Sequence, residues 1–181
     1  MKKIQTWLVA LVMAAGLGLI APGPASAASY CGIAWGSLAK TNAAMSGAPV
    51  TNVRTGQQPC FDRLVIDLNG KVAGYTVKYV SQVTQDGSGL PVPLRGGAFI
   101  QVTVNAPAYN SSGQATYNPV NKKELSNVSG YQTFRQVAWA GSFEGYTTLG
   151  LGVRARLPFR VFTLAGPGTG SRLVVDVAHF W

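Results

Sequence analysis

Titratable chemistry is scarce in this chain. Its 181 residues include one histidine, two cysteines and six carboxylates, against fifteen lysines and arginines, for a formal net charge of +9. A Ser-His-Asp triad would need the lone imidazole, His179, aligned with an acid and a serine, and no Gly-x-Ser-x-Gly elbow is present. His179 shares strand parity with Leu173, Val175 and Val177, which makes it a packed or rim residue. Two thiols without histidine partners cannot close a zinc site, so no metal and no cofactor are expected. Glu144 and Asp86 come nearest to the carboxylate pair of a glycoside hydrolase, but both stand in glycine-flanked turns. Gly166-Pro167-Gly168-Thr169-Gly170 precedes a strand pattern and lacks the lysine and helix of a phosphate loop. Only 12% of residues are charged and 47% are apolar, which excludes both a coiled coil and a highly charged disordered chain.

Long apolar runs are also absent, except at the start. Lys2 and Lys3 precede an apolar stretch from Ile4 to Ile20, then Ala21-Pro22-Gly23-Pro24 and Ala25-Ser26-Ala27. Basic residues, an apolar segment and small residues at Ala25 and Ala27 make a secretory signal cleaved after Ala27. Residues 1–27 are therefore read as a signal peptide, and the exported product as secreted or held at the cell wall, with no transmembrane helix after cleavage. Cys31 and Cys60 both follow the cut. An even cysteine count in an exported chain predicts a disulfide between them.

Residues 28–60 show little periodicity and much Ala, Gly, Ser and Asn, so they are read as an irregular arm tethered by that disulfide. From residue 61 the period becomes two. Leu64, Ile66 and Leu68 alternate with Arg63, Val65 and Asp67, and similar stripes run through Tyr75–Tyr79, Ile100–Val104, Leu149–Val153 and Leu173–Val177. Val137, Trp139 and Phe143 form another stripe, and Phe159 to Leu164 is apolar on both faces, as in a central strand. Residues 107–130 are polar and read as a long surface loop. Many short strands with Gly and Pro turns, and no amphipathic helix, predict an all-β fold: an antiparallel β-sandwich over 61–181.

Arg63-Leu64-Val65-Ile66-Asp67-Leu68 is echoed by Arg172-Leu173-Val174-Val175-Asp176-Val177. If the two strands are antiparallel neighbours, Arg63 meets Asp176 and Asp67 meets Arg172 as structural ion pairs. Most aromatics fall on core faces, but Phe99 and Tyr146 lie opposite their strands' aliphatic residues. With Arg160 they are the candidate ligand-binding residues. The basic residues are dispersed, Lys122-Lys123 and Arg154/Arg156 being only short clusters, so a nucleic-acid stripe is not expected. Anionic wall polymers are more accessible partners for an exported basic chain.

Six segments in order resemble the AMIN-like domain of secreted actinobacterial proteins, a relative of the AMIN domain of N-acetylmuramoyl-L-alanine amidases. They are Cys31–Leu38, Cys60–Asp67, Asp86–Val92, Gly141–Gly145, Pro158–Leu164 and Arg172–Val177. The resemblance implies a β-sandwich and a non-catalytic envelope role, and AMIN domains proper are associated with targeting to peptidoglycan. The expected function is thus a secreted, non-enzymatic domain that binds peptidoglycan or an associated wall polymer. Two rivals remain. An outer-membrane barrel would explain the terminal Trp181 with Val177, Val175 and Leu173 alternating before it. A small cell-wall glycan or ester hydrolase would use Glu144 or His179.

Overall fold

The computed structural model describes residues 30–71 and 74–181. The signal sequence read over 1–27 lies outside the described residues. Eleven strands follow in chain order: β1 (Lys40–Asn42), β2 (Val50–Gln57), β3 (Phe61–Leu68), β4 (Tyr75–Val80), β5 (Val83–Thr84), β6 (Pro91–Val92), β7 (Ala98–Val104), β8 (Phe134–Phe143), β9 (Tyr146–Val153), β10 (Phe159–Ala165) and β11 (Ser171–Ala178). A five-stranded sheet has the order β1-β4-β7-β9-β8, and a four-stranded sheet the order β10-β11-β3-β2. All pairings are antiparallel.

Alternation along each strand places one aliphatic stripe between the sheets. Val77, Ile100, Val102, Leu149 and Leu151 come from the larger sheet, and Leu64, Ile66, Leu173, Val175 and Val177 from the smaller one. All ten are fully buried in a single cluster. The two sheets remain separate and open, with β1, β8, β10 and β2 at their edges. The molecule is a filled sandwich, and the barrel reading is wrong. Its premise, apolar alternation back from Trp181, is real but belongs to β11, an inner strand of the four-stranded sheet.

Cys31 and Cys60 are bonded, with Cα atoms 6.1 Å apart. Their bridge closes the arm, but the arm is less irregular than its sequence suggests. β2 is a full strand pairing with β3 from Asp62 to Leu68, and β1 pairs with β4. A register shift between Val50 and Asn52 puts buried Val50 and Val53 three residues apart, which hides the period of two. A similar shift between Trp139 and Gly141 turns Phe143 out of the stripe that begins at Val137, leaving it half exposed. β10 is an edge strand, not a central one. The outward ring of Phe162 lies beneath the Arg63 and Arg160 guanidinium groups, at 5.5 and 5.1 Å from its centroid, so cations take the place of a neighbouring layer.

Residues 107–130 form no regular strand, yet the loop is anchored. Ala108 and Val128 are buried, and Tyr117 packs on Trp139 with ring centroids 5.4 Å apart. The Leu125 amide donates to the Val137 carbonyl, and the Trp139 amide to the Lys122 carbonyl. The loop therefore satisfies the otherwise open edge of β8.

Candidate functional site

The outer face of the five-stranded sheet carries a strap. Residues 83–97, including the small β5–β6 ladder, cross over β9 where it presents Gly150 and Gly152. Side chains there would not fit. A Cβ at Gly152 would stand 1.9 Å from the Arg95 carbonyl oxygen, and one at Gly150 2.8 Å from Leu94 Cδ1. Gly152→Ala is accordingly expected to lift the strap and cost about 1–3 kcal/mol, the usual penalty for overpacking. Denaturant unfolding measures it, and a variant as stable as the parent would mean that the strap is not tightly seated.

The strap is pinned at its far end. Gln136, nearly buried on β8, accepts the Arg95 amide on Oε1 at 2.7 Å and donates Nε2 to the Lys123 carbonyl at 2.9 Å. One side chain thus joins strap, sheet and long loop. Between these three lies a groove of about 620 Å³, within the range of clefts that hold small ligands, about 300–1,000 Å³. Small residues of β8, Ala138, Ala140 and Gly141, make its floor, and Pro91 to Leu94 make one wall. Lys122, Lys123 and Arg95 supply three cations, and no carboxylate lines the groove. Arg95 is already committed, its Nη1 2.5 Å from Glu124 Oε1 and its Nη2 donating to the Arg135 carbonyl. The exposed Lys122 and Lys123 carry the charge that faces the groove's solvent side.

Beside the groove, Asp86 sits under the β8–β9 hairpin. Its Oδ1 accepts the Thr148 hydroxyl at 3.0 Å, while Oδ2 is buried without a partner. Burial pushes this carboxyl above its ordinary range, and the Thr148 hydrogen bond offsets part of the effect. It belongs to the turn, as the glycines around it suggest.

The three residues proposed from sequence as ligand contacts do not converge. Phe99, on β7 opposite Gly152, borders a separate hollow with Tyr79 and Arg156. Tyr146 begins β9 at the other end of the same sheet, opposite Phe143 at the hairpin tip. Arg160 belongs to the four-stranded sheet. There its Cζ stacks 4.4 Å from the Trp35 ring centroid, and its Nε donates to Asp176 Oδ2 at 2.9 Å. Phe99 and Tyr146, which parity sets opposite their strands' aliphatic residues, lie at opposite ends of one sheet, and Arg160 lies on the other sheet.

The paired sequence echo behaves asymmetrically. β3 and β11 are antiparallel neighbours with Arg63 opposite Asp176 and Asp67 opposite Arg172. Arg63 grips the fully buried Asp176 through Nε and Nη2 at 2.6 and 2.9 Å. This pairing holds the guanidinium above its ordinary pKa. Asp67 and Arg172 do not pair. Asp67 instead takes both Nε and Nη2 of Arg54, at 2.8 and 2.9 Å, and Arg172 donates to the Ala165 carbonyl. β2 brings Arg54 alongside Asp67, a neighbour that the β3–β11 echo does not include.

His179 is fully buried, and its Nε2 lies 3.0 Å from Oδ1 of the equally buried Asp62. The other carboxylate oxygen accepts the Thr133 and Phe134 amides at 2.6 and 2.9 Å. The Thr133 hydroxyl then donates to the Ala178 carbonyl, and the His179 amide to the Cys60 carbonyl. This network ties the start of β3, the start of β8 and the end of β11 together. It is an Asp-His pair closed to solvent, and neither residue faces the groove. Among the described residues no three His, Cys, Asp or Glu side chains are placed to hold a metal.

No curated protein and no solved structure matches the chain. The model of the AMIN-like domain matches residues 48–179, a span running from just before β2 to just past β11 and taking in every strand of both sheets except β1, with the strap and the long loop. The chain belongs to the AMIN-like domain family.

Proposed function

We propose that this is a secreted, non-catalytic domain of the cell envelope that binds peptidoglycan or an associated wall polymer through the groove beneath the strap. The observation that carries the reading is the groove's lining: the exposed Lys122 and Lys123, no carboxylate, and an apolar wall from Pro91 to Leu94. Such a surface attracts an anionic polymer and has no acid or base to act on it. Membership of the AMIN-like family supports the envelope role and the absence of catalysis, and the disulfide suits an oxidising compartment. Among the described residues no helix is long and apolar enough to cross a membrane.

Retention on purified, protein-free sacculi tests the proposal. The chain lacking residues 1–27 is expected to sediment with sacculi at low ionic strength and to be released as salt screens the lysines, since the Debye length falls from about 30 Å at 0.01 M to about 3 Å at 1 M. A chain that stays in the supernatant at low salt would refute it.

A further inference from the structure

Within that reading, which this inference rests on, we infer that the groove takes the peptide part of the wall and not its glycan: a short extended peptide with small aliphatic side chains and free carboxylates. Three features of the groove carry this.

The first is charge. Lys122 and Lys123 are exposed at the rim, and with no carboxylate in the lining their charge is uncancelled within the groove. Free carboxylates complement them, whereas neutral sugar rings do not. The second is the apolar wall. Ala138 and Ala140 beneath it are covered, whereas Pro91 and Pro93 are exposed and Val92 and Leu94 half-buried, a shallow apolar surface suited to methyl-sized side chains. From Gln136 to Gly141 the strand runs about 16–17 Å at 3.2–3.4 Å per residue, the reach of a similarly short extended peptide. The wall from Pro93 to Arg95 lies outside any strand, but Pro93 has no N–H and the Arg95 amide is held by Gln136, so this stretch offers the groove its apolar side chains and not a free edge of backbone donors.

The third feature concerns aromatic rings. A saccharide is typically received on the open face of an aromatic side chain. Trp139 is the only ring in the lining, and it is packed on Tyr117 and against the core. Phe99 and Tyr146 lie outside the groove. The surface is therefore poor in what a sugar needs and suited to a carboxylated peptide.

The test uses two soluble probes and the intact sacculi, measured by calorimetry and sedimentation. One probe is a synthetic tetrapeptide of the wall-stem type, with alanine, a glutamate and a free terminal carboxylate. The other is glycan strands from which the peptides have been removed and whose lactyl carboxylates, freed by that cleavage, have been converted to amides. The tetrapeptide is expected to bind, and converting its carboxylates to amides is expected to weaken it by about tenfold or more. The surface double variant Lys122→Gln/Lys123→Gln should show a similar loss, and Val92→Asp, which sets a like charge on the apolar wall against the peptide carboxylates, should abolish peptide binding while the fold is checked by its unfolding midpoint. Peptide-free strands should neither bind nor compete. Retention on sacculi without affinity for the tetrapeptide, or equal binding of peptide-free strands, overturns this inference and leaves the envelope reading standing. Loss of sacculus binding altogether overturns both.

Discussion

Asp62→Ala is expected to be the most damaging single substitution away from the hydrophobic core, lowering stability by about 3–5 kcal/mol. The residue is fully buried, and truncation strands three donors at once: the amides of Thr133 and Phe134 and the Nε2 proton of His179. An unmade hydrogen bond in the interior costs about 1–3 kcal/mol per group, and water has no route to replace the acceptor. Asp62→Asn separates the contributions. Its amide oxygen still serves Thr133 and Phe134, and its amide nitrogen meets His179 if the imidazole moves its proton to Nδ1. That atom is buried and has no partner in the present arrangement, so the exchange leaves two unsatisfied donors, Nδ1–H and the second amide proton, instead of three, and keeps both backbone amides bonded. The order of stability should be parent, then Asn, then Ala. Urea unfolding followed by tryptophan fluorescence would show it, and an Ala variant within about 1 kcal/mol of the parent would mean that the network contributes little.

The second large effect concerns the cystine. Replacing Cys31 and Cys60 by serine should cost about 3–4 kcal/mol, the loop-closure contribution for a link of this span in the chain-entropy model. The bonded residues are 29 apart in sequence, and the loop they close includes β1 and β2. Loss of the bond should act locally as well. Trp35 sits edge-on to Phe61, with centroids 5.5 Å apart, and beneath the Arg160 guanidinium. Releasing the arm loosens this stack, so Trp35 should become accessible to a collisional quencher before the global transition. The paired measurement is thiol titration of the denatured, unreduced parent chain, where no free sulfhydryl is expected. Two reactive thiols, or a serine variant with unchanged stability, would be incompatible with the bridge's role.

The fold was legible where a strand keeps strict alternation over its whole length. Leu64-Ile66-Leu68 and Leu173-Val175-Val177 declare their faces directly, and the shared Arg and Asp spacing raised the antiparallel pairing of β3 with β11 that the register shows. Legibility failed at irregularities. The register shift in β2 disguised a strand as part of an irregular arm, and the one in β8 sent Phe143 outward when parity had placed it inward. Apolarity on both faces of β10 suggested a central position because the covering layer is made of arginines, which no periodicity argument counts as cover.

The candidate site was harder to read, because its parts are far apart in the chain. Lys122-Lys123 stood out as a basic pair but within a featureless polar loop, and its partners come from residues 85–95 and from β8. Phe99, Tyr146 and Arg160 were each turned away from the core, but facing outward says nothing about which sheet or which end a residue occupies. A usable signal did exist. Gly150 and Gly152, at alternate positions on a strand, mark a face that something must approach closely, and Pro91-Val92-Pro93 marks an extended segment able to do so.

Those two glycines have a consequence for how such domains diversify. Where Leu94 and Arg95 cross, β9 offers only the backbone of Gly150 and Gly152, and side-chain contacts from the sheet come at the strap's two ends, from Thr148 on Asp86 and from Gln136 on Arg95. Residues 83–97 contribute none of the side chains in the buried core cluster. The strap is thus seated as a separate piece, with the paired glycines, Thr148 and Gln136 as its socket, and sequence change along its exposed side should leave the core between the two sheets intact.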